Sequence, residues 1–241
     1  MQAEKVSTGP ANPLMINTRN IALLIDHTLL KPGATVGDIE KLCREARRFG
    51  FCSVCVNSAN IFLCKKLLKG SAVKICSVVG FPLGAASARS KAFEAGDAAR
   101  AGAAEIDMVI NIGALKSGND SAVLEDIRAV REASRGRVLK VIIEAGLLTR
   151  RERIKACLLA KKAGAEFVKT STGFVSGSAA RDVRLMRKTV GQAMGVKAAG
   201  GIKTAEQLFE MIKAGASRIG TSSGTSIMKQ IRISNSKVKK D

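Results

Sequence analysis

Two lysines lie in apolar segments that have the pattern of buried strands. They are Lys169 in FVKTSTG (residues 167–173) and Lys197 in GVKAAGG (residues 195–201). Burial disfavours the ammonium form of lysine unless a partner stabilises it. If the two strands are parallel neighbours, the lysines meet, and one cation beside another favours a neutral amine that attacks carbonyls to form a Schiff base. The alternative is that each side chain extends to solvent from a strand end.

The elements that would position these lysines alternate between short apolar strands and amphipathic helices. The sequence predicts strands at 21–28, 53–57, 72–80, 105–110, 137–144, 167–171, 196–199 and 218–221. It predicts helices at 37–49, 60–68, 87–101, 121–134, 149–163, 180–190 and 204–214, and a short one from 225. Eight such units predict an α/β fold, a single-domain (β/α)8 TIM barrel over residues 21–228. A doubly wound sheet would need a G-x-G-x-x-G turn after the first strand, and none is present.

The two ends of the chain differ from this pattern. Residues 1–20 are predicted to form an N-terminal arm without a signal-peptide core, and residues 229–241 a disordered basic tail, with partner or nucleic-acid binding as the alternative. The sequence contains no apolar run of membrane-spanning length. We therefore expect a cytoplasmic protein without a membrane partner.

Charge is the most unusual feature of the composition. Lys and Arg number 40 against 20 Asp and Glu, giving a net charge of +20, which would attract phosphates or nucleic acid. Trp and Tyr are absent, so stacking platforms for single strands are scarce. The basic residues follow helical segments, where a solvated face is the usual explanation. Nucleic-acid binding is thus the weaker interpretation.

The cysteines do not predict a metal site. Cys52 and Cys55 form a C-x-x-C motif, but a second ligand pair is missing and His27 is the one histidine in the chain. Residues three apart in a strand also face opposite ways. We predict reduced thiols, no metal and no cofactor.

In a TIM barrel, functional residues cluster where strands end, at the carboxyl face. Asp107 on the fourth strand and Lys140 on the fifth join Lys169 and Lys197 in one predicted interior. A carboxylate among three ammonium groups offsets their repulsion and moves protons. The alternative for Asp107 and Lys140 is a structural ion pair.

Three loops after the last strands predict a phosphate site. Residues 170–173, 200–201 and 220–224 supply hydroxyls, backbone N–H groups and a helix amino end. A phosphate site after strands seven and eight recurs in this fold. Each loop taken alone also has the glycine and serine content of an ordinary loop.

Several segments closely resemble the deoxyribose-phosphate aldolase family. They are DHTLLKP (26–32), SVCVN (53–57), VVGFPLGA (78–85), EIDMVINIGALKSGN (105–119), KVIIEAGLLT (140–149), FVKTSTGF (167–174), GVKAAGGIKT (195–204) and RIGTSSG (218–224). The resemblance covers residues 21–227. It implies a class I, metal-independent aldolase that reversibly cleaves 2-deoxy-D-ribose 5-phosphate into acetaldehyde and D-glyceraldehyde 3-phosphate.

The same resemblance implies the catalytic roles. Lys169 would form the Schiff base, and Lys197 would lower its pKa and transfer protons. Asp107 would act with Lys197 and a water in carbinolamine breakdown and in proton movement at the methyl carbon. Lys140 matches a supporting lysine near this cluster.

The resemblance also implies substrate contacts. For phosphate they are Gly173, Gly200, Gly201, Gly220, Ser222 and Ser223, with Lys203 where many relatives carry arginine, and Thr172 is a further substrate-binding residue. Asp26 and Thr28 would lie near the sugar hydroxyls and Cys55 near the aldehyde. Ser58 and Ala199 replace the proline and serine of many relatives, and neither change removes a reacting group. Barrel enzymes of this type are often dimers or larger, so a homo-oligomer is expected.

Two other functions stay open from the sequence. One is a different Schiff-base aldolase on the same barrel, which acts on another phosphorylated aldose or on unphosphorylated aldehydes. The other is a basic barrel that binds a polyanion, for which the net charge is the support.

Overall fold

Eight parallel strands close into a barrel in the computed structural model, which describes residues 17–238. Each strand pairs with the next along the chain, and the last pairs with the first. The strands are β1 (Ile25–Leu29), β2 (Ser53–Val56), β3 (Lys74–Val79), β4 (Glu105–Val109), β5 (Val138–Ile142), β6 (Phe167–Lys169), β7 (Gly195–Ala199) and β8 (Arg218–Thr221). The predicted (β/α)8 barrel is confirmed.

Helices surround the barrel and connect its strands. They are α1 (Thr18–Ala22), α2 (Val36–Phe49), α3 (Ile61–Leu67), α4 (Ala88–Ala101), α5 (Ile112–Lys116), α6 (Asp120–Ala133), α7 (Arg150–Lys162), α8 (Ala180–Val190), α9 (Ala205–Lys213) and α10 (Gly224–Val238). Two of them, α1 and α5, were not predicted. Within residues 17–238, no helix combines the length and the hydrophobicity that a membrane crossing requires.

The start of the barrel differs from the prediction. The Asn17 side chain accepts hydrogen bonds from the backbone N–H groups of Arg19 and Asn20, which caps α1. Residues 21–22 are therefore helical, and the first strand starts at Ile25. Residues 18–20 of the predicted arm belong to this helix, and its residues 1–16 lie outside the described part of the chain.

The predicted tail is wrong over residues 229–238, because these residues continue α10. Ile227, Met228 and Ile231 are all nearly inaccessible to solvent, and their spacing places them on one face of the helix. Burial of this face explains why a basic segment is helical. Residues 239–241 lie outside the described residues.

The hydrophobic core lies between the strands and the helices. Val54, Ile106, Val141, Val168 and Ile219 all point outward from the barrel into this layer, and all are fully buried. Successive side chains of a strand point to opposite faces, so the residues that alternate with them line the barrel interior. That interior is charged.

The strand register sets which interior side chains are neighbours. Asp107 pairs with Lys140 across β4 and β5, and Lys169 pairs with Lys197 across β6 and β7. The expectation that the two lysine strands are parallel neighbours is confirmed.

We expect Ile231→Ala to lower the free energy of unfolding by about 2–5 kcal/mol, because it empties a buried site between α10 and the barrel. Ile233→Ala on the same helix is the matched control, since 59% of that side chain is exposed. We expect the control to stay within about 0.5 kcal/mol of the parent protein. Urea unfolding measures both, and equal effects would contradict the packing of α10.

His27 supplies a pH dependence of stability. Burial lowers its pKa below 6.5, although a hydrogen bond of 2.8 Å between Nε2 and the Glu45 carboxylate opposes the shift. The unfolded chain then binds more protons below about pH 6.5, so the His27 contribution to stability is present above that pH and decreases as the pH falls through the folded pKa. Urea unfolding between about pH 7.5 and pH 5 should show this decrease, and His27→Gln should flatten it. An unchanged slope in His27→Gln would contradict this assignment.

Candidate active site

One carboxylate lies at the centre of the barrel interior. Asp107 Oδ2 accepts hydrogen bonds from Lys169 Nζ at 2.8 Å and Lys197 Nζ at 2.7 Å. Its other oxygen, Oδ1, accepts from Lys140 Nζ at 2.8 Å. The structure thus brings together the four residues that the sequence grouped, and neither lysine of the pair reaches outward to solvent.

A further group of charges lies against these four residues. Asp26 contacts Lys197 Nζ through Oδ2 and Arg218 Nη1 through Oδ1 at 2.8 Å. Glu105 Oε2 lies 2.7 Å from Lys140 Nζ and 3.0 Å from Arg218 Nη1. Inside the barrel the network holds three carboxylates and four cationic side chains, so one positive charge there has no carboxylate of its own; the half-exposed Lys74 adds a longer contact of 3.6 Å to Glu105 Oε1 from outside.

The charges of this network stabilise one another. Burial by itself would raise the pKa of Asp107, but Lys140, Lys169 and Lys197 outweigh it and hold that pKa well below its usual range. Burial by itself would lower the pKa of Lys197, but the carboxylates of Asp107 and Asp26 raise it. The pKa of Lys140 is likewise raised. Burial by itself would lower it, and Asp107 is the charge that opposes burial most. These groups are therefore ionised at neutral pH.

A cavity of about 470 Å³ opens at the carboxyl ends of the strands, and Lys169 reaches it. Lys169 is 2% exposed, whereas Lys140 and Lys197 are 0% exposed and do not line the cavity. Of the three lysines bonded to Asp107, Lys169 is thus the one that a molecule in the cavity meets.

Most of the residues expected to bind substrate line this cavity. Those that do are Thr28, Thr172, Gly173, Gly200, Gly201, Lys203, Gly220 and Ser222. Ser223 is not among the lining residues and follows them at the start of α10, where its N–H donates to Thr221 Oγ1 at 2.9 Å. The three predicted loops therefore meet on one side of the cavity.

Two expected substrate contacts lie deeper. The Asp26 carboxylate is fully buried, is held by Lys197, Arg218 and the Ser53 hydroxyl, and does not line the cavity. Cys55 is also fully buried and packs against Leu30 and Val78. Their depth follows from the barrel closure, which a sequence pattern does not define.

The thiols near Asp107 were not recognised as a group from the sequence. Cys76 Sγ donates to Asp107 Oδ1 at 3.1 Å, and the sulfur atoms of Cys55 and Cys76 and an Asp107 oxygen all lie within 4.8 Å of one another. This donor set has the types that a thiophilic cation prefers. The same Asp107 already binds three ammonium groups, which disfavours a further cation here.

Arg218 and Glu105 are the charged residues inside the barrel that sequence reasoning left without a role. Both lie at the start of a strand, far from the carboxyl ends where functional residues were sought. The signal that could have found them is the alternation of each strand, which places Glu105 on the same face as Asp107.

Gly220 has a packing role besides its place in a loop. A Cβ at this position would lie 3.0 Å from Lys197 Cε and 3.0 Å from Ala199 Cβ. The glycine therefore leaves the space through which the Lys197 side chain runs to Asp107.

Comparison with known proteins identifies the family. The model of the DeoC/LacD family aldolase matches residues 20–231. A deoxyribose-phosphate aldolase of Geobacillus sp. (strain WCH70) is 59% identical over 211 residues, which cover 87% of this chain and 95% of the relative. One of Carboxydothermus hydrogenoformans is 57% identical over 219 residues, covering 89% of this chain and 96% of the relative.

A solved structure shows the same architecture. The tetrameric deoxyribose phosphate aldolase of Aeropyrum pernix superposes with a TM-score of 0.84 at 34% identity, covering 89% of this chain and 92% of that one. Fold and sequence together place the protein among the barrel aldolases, which are carbon–carbon lyases. The chain belongs to the DeoC/LacD aldolase family.

Replacement of the central carboxylate tests the charge network. Asp107→Asn leaves the four cations inside the barrel with two carboxylates, and we expect the free energy of unfolding at pH 7 to fall by about 3–5 kcal/mol, the usual cost of an unpaired buried charge. The loss should shrink towards about pH 9.5, where lysines without a carboxylate release protons more readily.

Asp97→Asn is the control, because that carboxylate is 64% exposed and pairs with Arg100 on the surface of α4. Urea unfolding of the control should stay within about 0.5 kcal/mol of the parent protein at both pH values. An Asp107→Asn protein as stable at pH 7 as the parent would contradict the central role of this carboxylate.

Proposed function

We propose that the protein is a class I aldolase that reversibly cleaves 2-deoxy-D-ribose 5-phosphate into acetaldehyde and D-glyceraldehyde 3-phosphate through a Schiff base on Lys169. The observation that carries the proposal is the position of the Lys169 amine, at the floor of the cavity and bonded to the buried Asp107. Relatives of 55–59% identity bear the name of this activity.

The attacking amine must be neutral. Lys169 contacts one carboxylate, whereas Lys197 contacts two and Lys140 three. Inside the barrel there is one cation more than there are carboxylates, so no paired charge is lost there when one amine releases its proton. Lys197 bonds to the same Asp107 oxygen as Lys169 does.

Cleavage then follows ordinary amine chemistry. The Lys169 amine adds to the C1 aldehyde of the open-chain sugar, and the carbinolamine loses water to give an iminium ion. Removal of the C3 hydroxyl proton breaks the C2–C3 bond, and its electron pair forms an enamine while D-glyceraldehyde 3-phosphate leaves. Protonation of C2 and hydrolysis of the iminium release acetaldehyde and restore the amine.

Asp107 and Lys197 are the groups placed to move these protons. Asp107 accepts a hydrogen bond directly from the Lys169 amine, and Lys197 donates to the same Asp107 oxygen. A bound water would complete the proton relay. Lys140 supports the arrangement by fixing the other Asp107 oxygen, and Asp26 does so by holding Lys197. Cys55 would lie beneath the aldehyde as part of the apolar floor.

The phosphate would bind on the glycine-rich side of the cavity. Gly173, Gly200, Gly201 and Gly220 bring backbone close to the open space there, and Ser222 and Ser223 precede the amino end of α10. Lys203 adds a positive charge, and as a lysine it makes a point contact where arginine makes a bidentate one. The Thr28 side chain would face the sugar, and Thr172 would shape the loop beside the phosphate.

The assembly is proposed to be a homo-oligomer, a dimer or larger. The Aeropyrum pernix relative is tetrameric, which supports an assembly of identical chains.

Removal of the reacting amine tests the proposal. We expect Lys169→Met to lower kcat/KM for 2-deoxy-D-ribose 5-phosphate by a factor of about 10⁴ or more, because no other amine among the described residues both lines the cavity floor and bonds to Asp107. Product formation is followed by coupled reduction of the released glyceraldehyde 3-phosphate.

Lys162→Met is the control, since this lysine lies on the exposed face of α7. It should keep the parent activity. Full cleavage by a folded Lys169→Met protein would contradict the proposal, and so would a parent enzyme that cleaves other phosphorylated aldoses but not this one.

A further inference from the structure

Glu144 has an unusual backbone conformation at the end of β5. Its φ of 51° and ψ of 62° lie in the left-handed region, and among residues 17–238 it is the single non-glycine residue with a positive φ. A side chain in this region costs free energy and persists where the surroundings fix it. The contacts of the Glu144 side chain fix this conformation.

The Glu144 carboxylate reaches into the loop between β6 and α8. Its Oε2 accepts from the Thr172 backbone N–H at 3.0 Å and from the Thr172 hydroxyl at 2.6 Å, and its Oε1 accepts from the Ser176 hydroxyl at 2.8 Å. Glu144 is fully buried and forms no ion pair among the described residues. Hydrogen bonds from this one loop are thus what compensates the buried carboxylate.

These bonds define the shape of the loop. The Thr172 hydroxyl, which donates to Glu144, also accepts from the Phe174 N–H at 3.1 Å, so Thr172 and Phe174, on either side of Gly173, are both connected to one carboxylate. Thr172, Gly173 and Phe174 all line the cavity directly after Lys169. Glu144 itself does not line the cavity and acts through them.

The other side of the loop is fixed by the glycines after β7. Ser178 N–H donates to Gly200 O at 2.8 Å, and a Cβ at Gly200 would lie 2.9 Å from Ser176 O. The loop is therefore held between Glu144 on one side and Gly200 on the other. The proposed phosphate site includes backbone from both loops, so their relative position determines its shape.

We infer that Glu144 is a positioning residue that sets the β6–α8 loop for the phosphate-bearing end of the substrate. This inference rests on the proposed function. Loss of the carboxylate frees Thr172 and Ser176, so the Gly173 backbone between them, which belongs to the proposed phosphate site, is no longer held in place. The Lys169 amine is held separately, by its strand and by Asp107, and keeps its reactivity.

The test compares substrates with and without the phosphate. In Glu144→Ala, KM for 2-deoxy-D-ribose 5-phosphate should rise about tenfold or more, as expected for the loss of buried hydrogen bonds. The kcat/KM for unphosphorylated 2-deoxy-D-ribose, and the rate of borohydride trapping of acetaldehyde on Lys169, should stay within about twofold. Glu144→Gly should behave like Glu144→Ala although it relieves the backbone, because the carboxylate is the group that matters.

A conservative variant and a mild one complete the set. Glu144→Gln should recover most of the affinity, since its oxygen accepts from Thr172 and its amide donates to the Ser176 hydroxyl. Ser176→Ala removes one hydrogen bond to the Glu144 carboxylate and leaves the carboxylate in place. It should raise KM by a smaller factor than Glu144→Ala does, and it tests the inference even if Glu144→Ala does not fold. Glu152→Ala is the control, because Glu152 also accepts a threonine N–H, from Thr149 at 2.7 Å, but at the surface start of α7.

The outcomes separate the two proposals. Equal losses for both sugars, together with slower trapping at Lys169, would overturn the positioning role, and so would unchanged KM in Glu144→Ala and Ser176→Ala. Failure of the parent enzyme to form an adduct at Lys169 would instead overturn the proposed function, and the inference with it.

Discussion

The structure depends on the sharing of one buried carboxylate by three lysines. Asp107 accepts from Lys140, Lys169 and Lys197, and each of these ammonium groups would be costly inside a barrel without it. The arrangement has a consequence for reactivity. Lys140 and Lys197 hold further carboxylates and remain charged, while Lys169 has Asp107 alone and faces the cavity. The smaller number of carboxylate contacts and the access to the cavity therefore both single out the Lys169 amine.

The barrel accommodates these charges because small residues leave space for long side chains. At Gly220 a Cβ would crowd Lys197, and at Gly195 it would lie 2.2 Å from the Phe167 ring. That ring lies 5.4 Å from the Arg218 guanidinium and covers the charged network from below. The polar interior is thus enclosed on one side by an aromatic residue and open on the other to the cavity.

The sequence predicted the parts of the site that depend on strand periodicity. Lys169 and Lys197 meet because alternation and parallel pairing require it, and Asp107 and Lys140 follow from the same argument. Depth within the barrel was not predictable, because it depends on how the strands are staggered when the sheet closes. Asp26 for this reason lies below the cavity and not in it.

Chain ends show a different limit. The basic composition after residue 229 favoured a disordered tail, although the apolar positions Ile227, Met228 and Ile231 already had helical spacing. The packing of that helix face against the barrel makes the segment helical. Glu144 illustrates the opposite case, since no sequence pattern indicates that a non-glycine residue will adopt a positive φ.

The central claim is that Lys169, and not the neighbouring Lys197, is the reacting amine. The most direct measurement is reduction with borohydride in the presence of acetaldehyde, followed by peptide mass mapping of the two strands. The structure predicts N-ethyl-lysine at Lys169 and an unmodified Lys197. An adduct at Lys197, or no adduct in folded protein under conditions that label a working class I aldolase, would contradict the account.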